Sequence, residues 1–221
     1  MQAVANSPRA CWKCHAELAD GLACPRCEAV QPLGADTDLF AVLGLPRQLV
    51  GDAADVERRY HARSRVVHPD RHQTATPRER DLSLAASAAV NRAYRTLRDP
   101  VARGRYWLEL HGTRLADEGP RVPPAIAAEV FETQEKLEEL RADRTAEDVA
   151  GEVRALYEQF VQRLVALVAE LEDRYAAWDR DGSAPLDELR RRLSEIAYLR
   201  TLLGDIEDAL GEGLRGTNHR H

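Results

Sequence analysis

Apolar residues recur at three- and four-residue spacing within residues 36–112, and this spacing predicts a set of short helices. The first helix is predicted over 53–67, because Pro69 forces the residue before it out of the helical region. The second is predicted over 77–98, and a third, shorter helix ends at Gly112. The predicted helix starts are Asp52, Thr76 and Asp99.

A linker that carries proline and glycine, at 113–124, separates this part from residues 125–215. There, longer apolar stripes predict three amphipathic helices. The first covers about 125–141, the second begins at a Thr145 cap, and a turn at 179–182 leads into the third. Stripes of this length indicate an antiparallel three-helix bundle, so the predicted fold class is all-α.

Composition agrees with this fold class and limits the function. The 221 residues are 31% charged and 5% aromatic, which favours helices over a β-sandwich. The net charge of −6 is the sum of 0 over 1–35, +3 over 36–112 and −9 over 113–221, so nucleic-acid binding by the whole surface is not expected. No apolar run reaches the roughly 18 residues of a membrane-spanning helix.

Four cysteines lie within residues 1–35, a segment too short to fold on a hydrophobic core alone. They follow the pattern C-x2-C-x9-C-x2-C, and no apolar leader precedes them, so a reducing compartment is expected. We expect the bacterial cytoplasm, or the mitochondrial matrix if the chain is eukaryotic. Two C-x2-C pairs close a four-thiolate site, which favours structural zinc. The ligands are Cys11, Cys14, Cys24 and Cys27.

Other interpretations of the same cysteines stay open. Iron binds the same four thiolates. Cys11-Trp-Lys-Cys14-His15 also matches a haem-attachment pattern, although that chemistry leaves Cys24 and Cys27 unexplained. Cys11 and Cys14 could instead form a redox dithiol, but no βαβ pattern surrounds them.

The tripeptide His68-Pro69-Asp70 lies between the predicted helices, where a simple turn would also account for it. Flanking segments add specificity: DLFAVLGLP before it, and NRAYRTLRDP and RGRY after it. Together these residues resemble a J domain of DnaJ-like co-chaperones over about 38–108. The resemblance implies an antiparallel helix pair whose connecting loop exposes the tripeptide and stimulates ATP hydrolysis by a DnaK-type chaperone.

Arginines on the helix before the tripeptide fit such a role, since a basic stripe attracts an acidic partner surface. The candidate chaperone-binding residues are therefore His68, Pro69, Asp70, Arg58, Arg59 and Arg65. Arg63 departs from the J-domain pattern, which usually has an apolar residue at that place. We expect its side chain to extend along the edge of the core and to loosen the packing.

A J domain followed by a linker and a three-helix bundle resembles the HscB (Jac) family, some of whose members carry a four-cysteine extension. The resemblance implies a non-enzymatic co-chaperone. Its bundle would hold an iron–sulfur scaffold protein of the IscU type for a DnaK/HscA-type ATPase. The implied client-binding residues are Ala127, Ala128, Phe131, Glu132, Glu135 and Tyr198. The two alanines are smaller than the family's usual residues, which predicts weaker or recentred binding.

Phe131 follows the inward-facing Val130 and therefore lies off the apolar stripe, so we expect its ring to be exposed. Two other functions remain as alternatives. The first is a J-domain adaptor for a different client protein. The second is a thiol oxidoreductase that uses Cys11 and Cys14.

Overall fold

The computed structural model describes residues 9–18, 21–34, 37–72, 75–113, 115, 122, 124–142, 147–182 and 185–211. The chain divides into two compact units, Met1–Arg103 and Gly104–His221. Within the described residues both are mostly helical, which confirms the all-α prediction. None of the described helices is both long and apolar enough to cross a bilayer.

The cysteine knob, described over 9–18 and 21–34, holds the little β-structure that the described residues contain. Strand β1 (Arg9–Ala10) pairs antiparallel with β2 (Glu17–Leu18), and one further bridge joins Ala23 to Val30. These short strands did not follow from the sequence pattern. Both are hairpin arms that flank a pair of cysteines.

The rest of the first unit is built on two long antiparallel helices. They are α2 (Ala53–Val67) and α3 (Pro77–Arg98), as the sequence predicted, and a short α1 (Leu39–Leu43) packs against both. Thr76 begins α3 with a capping box. Its hydroxyl accepts a hydrogen bond from the Glu79 N–H, and the Glu79 carboxylate accepts one from the Thr76 N–H. The buried apolar side chains that join these helices include Phe40, Leu43, Val56, Val67, Val90, Ala93 and Leu97.

Arg63 lies half-buried at the edge of this core, and its environment is specific. Its guanidinium covers Gly44, the left-handed C-cap of α1, where a Cβ atom would come within 2.5 Å of Arg63 Nη2. Arg59 donates a hydrogen bond to the Gly44 carbonyl as well. Arg63 therefore occupies space that a glycine leaves open, instead of filling the core as an apolar residue would.

Helix α4 (Pro100–Leu110) begins in the first unit with a buried arginine. Arg103 is 3% exposed and donates to the carbonyl oxygens of Leu49 and Leu97, each at 2.6 Å. A buried guanidinium is stable only when its donors are satisfied, so these carbonyls account for its position.

In the second unit, α5 (Ala127–Ala142), α6 (Glu147–Asp181) and α7 (Leu186–Leu210) form the three-helix bundle. Ion pairs fix an antiparallel order, because Lys136 meets Glu152 while Glu129 meets Arg163. The prediction of a turn over 179–182 was wrong. Helix α6 continues to Asp181, and of these four residues only Gly182 leaves the helix, with φ of 64°. The predicted cap Thr145 lies outside the described residues.

Candidate functional site

The four cysteines lie on two hairpin turns of the same construction, which we call the first knuckle (Cys11–Cys14) and the second knuckle (Cys24–Cys27). In each, the first cysteine's N–H donates to the carbonyl five residues on, at 2.8 and 2.9 Å. The residue after each second cysteine has a left-handed backbone: φ is 58° at His15 and 56° at Glu28. His15 thus has the same backbone role as Glu28, which explains the Cys-x-x-Cys-His pattern without haem.

The sulfur positions fit one tetrahedral metal ion. All four Sγ atoms lie within 4.8 Å of one another, and the Cys11–Cys27 and Cys14–Cys24 separations are 3.6 and 3.7 Å. Zinc–thiolate bonds of about 2.3 Å at tetrahedral angles require sulfur separations of about 3.8 Å. A disulfide would need about 2.05 Å. The donor set therefore fits a closed four-thiolate site.

Backbone N–H donors favour the thiolate form of Cys11 and Cys24, the first cysteine of each knuckle, and lower the pKa of both. The N–H groups of Lys13 and Arg26 each lie 3.4 Å from the first sulfur of their own knuckle. Burial raises the pKa of the Cys11 thiol, but N–H donors of Cys14 and Lys13 outweigh it and lower that pKa to about 6. Thiolates are the form that binds a metal.

The predicted tripeptide lies at the junction of α2 and α3, and its polar side chains are exposed. His68 ends α2 with an extended backbone, and Pro69–His72 forms a single 3₁₀ turn. The His68 and Asp70 side chains are 55% and 73% exposed, and the Asp70 N–H donates to His68 Nδ1 at 3.2 Å. Asp70 Oδ2 also lies 3.6 Å from His68 Nδ1, so the imidazole and the carboxylate are neighbours at the exposed turn.

The end of α2 is anchored to α3 by two hydroxyl groups. Ser83 and Ser87 both donate to the Val67 carbonyl, at 2.7 and 2.9 Å. Val67 and Ser83 are fully buried. The carbonyl next to His68 therefore has two protein donors at a helix end, where intrahelical partners run out.

A basic groove leads to the tripeptide. Its lining consists of His61, Ser64, Arg65, His68 and Arg71. Of the predicted arginines, Arg65 lies in this groove, while Arg58 pairs with Asp55 on the helix surface. Arg59 is held by Asp55 and by the Gly44 carbonyl, so part of its hydrogen-bonding capacity is used within the fold.

Sequence reasoning missed the residues through which the cysteine knob contacts the helix pair. Lys13 forms an ion pair with Glu79 at 2.6 Å, and the Arg78 guanidinium lies 4.3 Å from the centroid of the Trp12 ring. These pairs join residues far apart in sequence, and local periodicity contains no signal for such contacts.

The predicted client-binding residues of α5 form an exposed face. Ala127, Ala128, Glu132 and Glu135 are all exposed, and Phe131 is 67% exposed, as its place beside Val130 predicted. Tyr198 on α7 is half-buried and packs against the bundle core. Burial, with a smaller contribution from Asp205, raises the pKa of its hydroxyl.

Arg163 on α6 forms ion pairs with both α5 and α7 and so shows which residues of those two helices lie at the same height in the bundle. It reaches Glu129, two residues before Phe131, at 3.1 Å, and Glu195, one turn before Tyr198, at 3.2 Å. Because α5 and α7 run in the same direction, Phe131 and Tyr198 lie about 3 Å and about 4.5 Å beyond this ion-pair triad along the bundle axis. The two predicted anchors therefore lie at a similar height in the bundle.

Comparison with known proteins identifies the family. Residues 38–106 match the DnaJ domain family. The chain is 32% identical to the human iron–sulfur cluster co-chaperone protein HscB over 168 residues, 74% of this chain and 71% of that protein. It is 37% identical to the HscB homologue of Bordetella petrii over 65% of this chain and 85% of that protein.

Solved structures agree with these relatives. The crystal structure of human HscB aligns with a TM-score of 0.61 at 27% identity, covering 90% of this chain and 97% of that one. HscB from Vibrio cholerae aligns with a TM-score of 0.55 at 27% identity, covering 79% and 99%. The chain therefore belongs to the HscB family of iron–sulfur cluster co-chaperones and carries a J domain.

Proposed function

We propose that this protein binds an iron–sulfur scaffold protein of the IscU type and delivers it to a DnaK/HscA-type chaperone, whose ATP hydrolysis it stimulates. The observation that carries the proposal is the exposed His68–Asp70 turn beside a basic groove, in a chain of the HscB family. The protein supplies contacts and orientation, and ATP hydrolysis takes place on the partner.

For the chaperone contact, the imidazole of His68 and the carboxylate of Asp70 are the groups offered at the loop tip. Arg65 and Arg71 flank them with positive charge, which favours an acidic partner surface and speeds its association. Arg58 and Arg59 both pair with Asp55, but Arg59 also donates to the Gly44 carbonyl. We therefore assign Arg59 a mainly structural part, whereas Arg58 adds charge on the same helix.

The test is the ATPase rate of the partner chaperone with purified full-length protein. His68→Gln keeps the size and polarity of the side chain but loses the imidazole, so stimulation should fall at least about tenfold, which corresponds to about 1.4 kcal/mol. His111→Gln, an exposed histidine of the second unit, should stimulate normally. Equal stimulation by His68→Gln and wild type would refute the chaperone assignment.

For the client contact, we assign the anchor roles to Phe131 and Tyr198. Large aromatic side chains dominate binding energies at protein interfaces, and the Phe131 ring is 67% exposed and so accessible to a partner. Glu132 and Glu135 on the same helix would add charge selectivity. Ala127 and Ala128 contribute little area, so we expect the contact to be centred on Phe131.

Titration calorimetry with the scaffold protein tests this contact. Phe131→Ala combined with Tyr198→Ala should weaken binding at least about 30-fold, roughly 2 kcal/mol. Leu84→Ala removes an apolar side chain of similar exposure (64%) from α3 and should leave the affinity unchanged. Undiminished affinity of the double variant, with an intact helical fold, would refute the anchor roles of Phe131 and Tyr198. Absence of binding by the wild-type protein would favour the alternative of a different client.

At the cysteine knob, we propose one structural zinc ion held by Cys11, Cys14, Cys24 and Cys27. A thiol oxidoreductase is disfavoured, because Cys11 is fully buried and its short sulfur contact is to Cys27 of the other knuckle. Four thiolates that hold one metal fit a reducing compartment, where cysteines stay reduced. Elemental analysis should find one zinc per chain, and iron in its place would refute the zinc assignment.

A further inference from the structure

The cysteine knob contacts both ends of the loop that joins α2 to α3. At the α3 end, the first knuckle supplies Lys13, whose Nζ lies 2.6 Å from Glu79 Oε1. Glu79 also accepts hydrogen bonds from the Thr76 N–H and hydroxyl, at 3.0 and 2.8 Å. One carboxylate therefore joins the knob to the residue at which the loop ends.

A second contact strengthens this end. The guanidinium of Arg78 lies over the Trp12 ring, 4.3 Å from its centroid, and the Trp12 indole N–H donates to the Val30 carbonyl at 2.8 Å. Trp12 is thus fixed within the knob while its face receives a cation from α3.

At the α2 end, the contact comes from Glu28, the residue directly after the second knuckle, whose carboxylate lies 3.9 Å from Arg71 Nη2. Arg71 follows Asp70 directly, and its Nη1 donates to the Arg65 carbonyl in the last turn of α2 at 3.2 Å. Arg71 lines both the groove beside His68 and a second groove between the helix pair and the knob. The tripeptide is therefore linked to the second knuckle through its next neighbour.

We propose that the cysteine knob is a metal-dependent clamp that positions the His68–Asp70 loop, with Lys13, Trp12 and Glu28 as its positioning residues. Each knuckle holds one end of the loop, and the four thiolates tie the knuckles to each other through the metal. The metal thereby fixes the distance between the Lys13–Glu79 contact and the Glu28–Arg71 contact. The inference rests on the proposed role of the loop and on occupancy of the cysteine site.

Loss of the metal should release the loop. Without it, the four thiols no longer join the knuckles, which keep only hydrogen bonds such as that from Trp12 to Val30. Small metal-bound segments of this kind lose their fold with the ion. The helix pair has its own core and should remain folded. We therefore expect metal-free protein to keep its J domain but to carry the tripeptide on a more mobile loop.

Hydrogen exchange of the full-length protein tests the clamp without any partner. The readout is the exchange rate of amides over 70–80, compared with amides of the α3 core such as Val90. Zinc-loaded protein is compared with protein depleted by a chelator and then reloaded. Depletion should accelerate exchange over 70–80 about tenfold and reloading should restore it, while the core amides stay unchanged.

Variants separate the clamp from a general effect of the knob. Lys13→Ala and Glu79→Gln break one ion pair from opposite sides, so each should accelerate exchange about threefold, and the double variant no further. Arg26 occupies the place in the second knuckle that Lys13 has in the first, and its exposed side chain makes Arg26→Ala the matched control.

Unchanged exchange on zinc removal would overturn the clamp, and so would equal effects of Lys13→Ala and Arg26→Ala. Metal content is measured on every sample, so a failed metal assignment is distinguished from a failed clamp. Chaperone stimulation is measured separately. A loop that loosens on depletion while stimulation never responds to His68→Gln would support the clamp and refute the chaperone contact.

Discussion

The Val67 carbonyl lies directly before the His68–Asp70 turn and accepts two hydrogen bonds from α3. These two bonds predict how much free energy of unfolding is lost when either donor is removed. Ser83 and Ser87 both donate to this buried oxygen. Each hydrogen bond contributes about 1 kcal/mol net, so Ser83→Ala or Ser87→Ala should each reduce the free energy of unfolding of the first unit by about that amount.

The double variant should cost more than the sum of the single variants. With one serine left, the Val67 carbonyl keeps a donor, but with both removed a buried acceptor remains unsatisfied. Such a group costs about 1–3 kcal/mol, so the double variant should lose about 3 kcal/mol in total. The excess of about 1 kcal/mol over additivity is a coupling energy between two residues that share a partner.

Native-state hydrogen exchange of the Val90, Ala93 and Leu97 amides reports the free energy of unfolding of this unit. Ser64→Ala changes another helical serine while leaving the Val67 carbonyl untouched, and should shift the free energy by less than about 0.5 kcal/mol. Additive losses in the double variant would refute the shared-acceptor reasoning. So would single variants that resemble Ser64→Ala.

Further predictions concern packing, pH and the buried arginine. In the second unit, a Cβ at Gly104 would come within 2.1 Å of the buried Tyr175 hydroxyl, so Gly104→Ala should lower the urea midpoint by the equivalent of about 1–3 kcal/mol. Gly151→Ala meets no atom within 4 Å and should raise that midpoint through helix propensity. Lys13 and Thr76 lower the pKa of Glu79 from 4.5 to about 2, so its stabilisation is complete above about pH 4.5 and is lost as the pH falls to about 2. The difference in Tm between wild type and Glu79→Gln should shrink over that interval, and a constant difference would contradict the assignment. Arg103→Met removes the donors to the Leu49 and Leu97 carbonyls and should cost about 2–4 kcal/mol in a chemical unfolding experiment, whereas an unchanged midpoint would show that they need no cation.

Local signals account for most of what the sequence predicted correctly. Asp52 and Pro69 bound α2, and the Thr76-Pro77 pair begins α3, because caps and prolines act within a few residues of where they stand. The exposure of Phe131 followed from its neighbour Val130 in the same way. Cysteine spacing alone predicted the single cluster of four sulfurs.

The errors and omissions have physical reasons. The residues at 179–181 have polar side chains that are compatible with either a turn or a solvated helix end, and only Gly182 requires the left-handed conformation that ends α6. Arg63 was expected to loosen the core, since the sequence does not reveal that Gly44 leaves room for its guanidinium. The contacts of Lys13 and Trp12 depend on tertiary placement, which periodicity does not encode.

The separation of contacts along the chain has a consequence for the order of folding. The backbone hydrogen bonds within each knuckle turn join residues at most five positions apart, and the short sulfur contacts span 10 and 16. The Lys13–Glu79 pair spans 66. Short loops close fastest, so during synthesis the thiolates can capture their ion before the first turn of α3 has been made. The nascent helix pair then folds against a cysteine knob that already holds its metal.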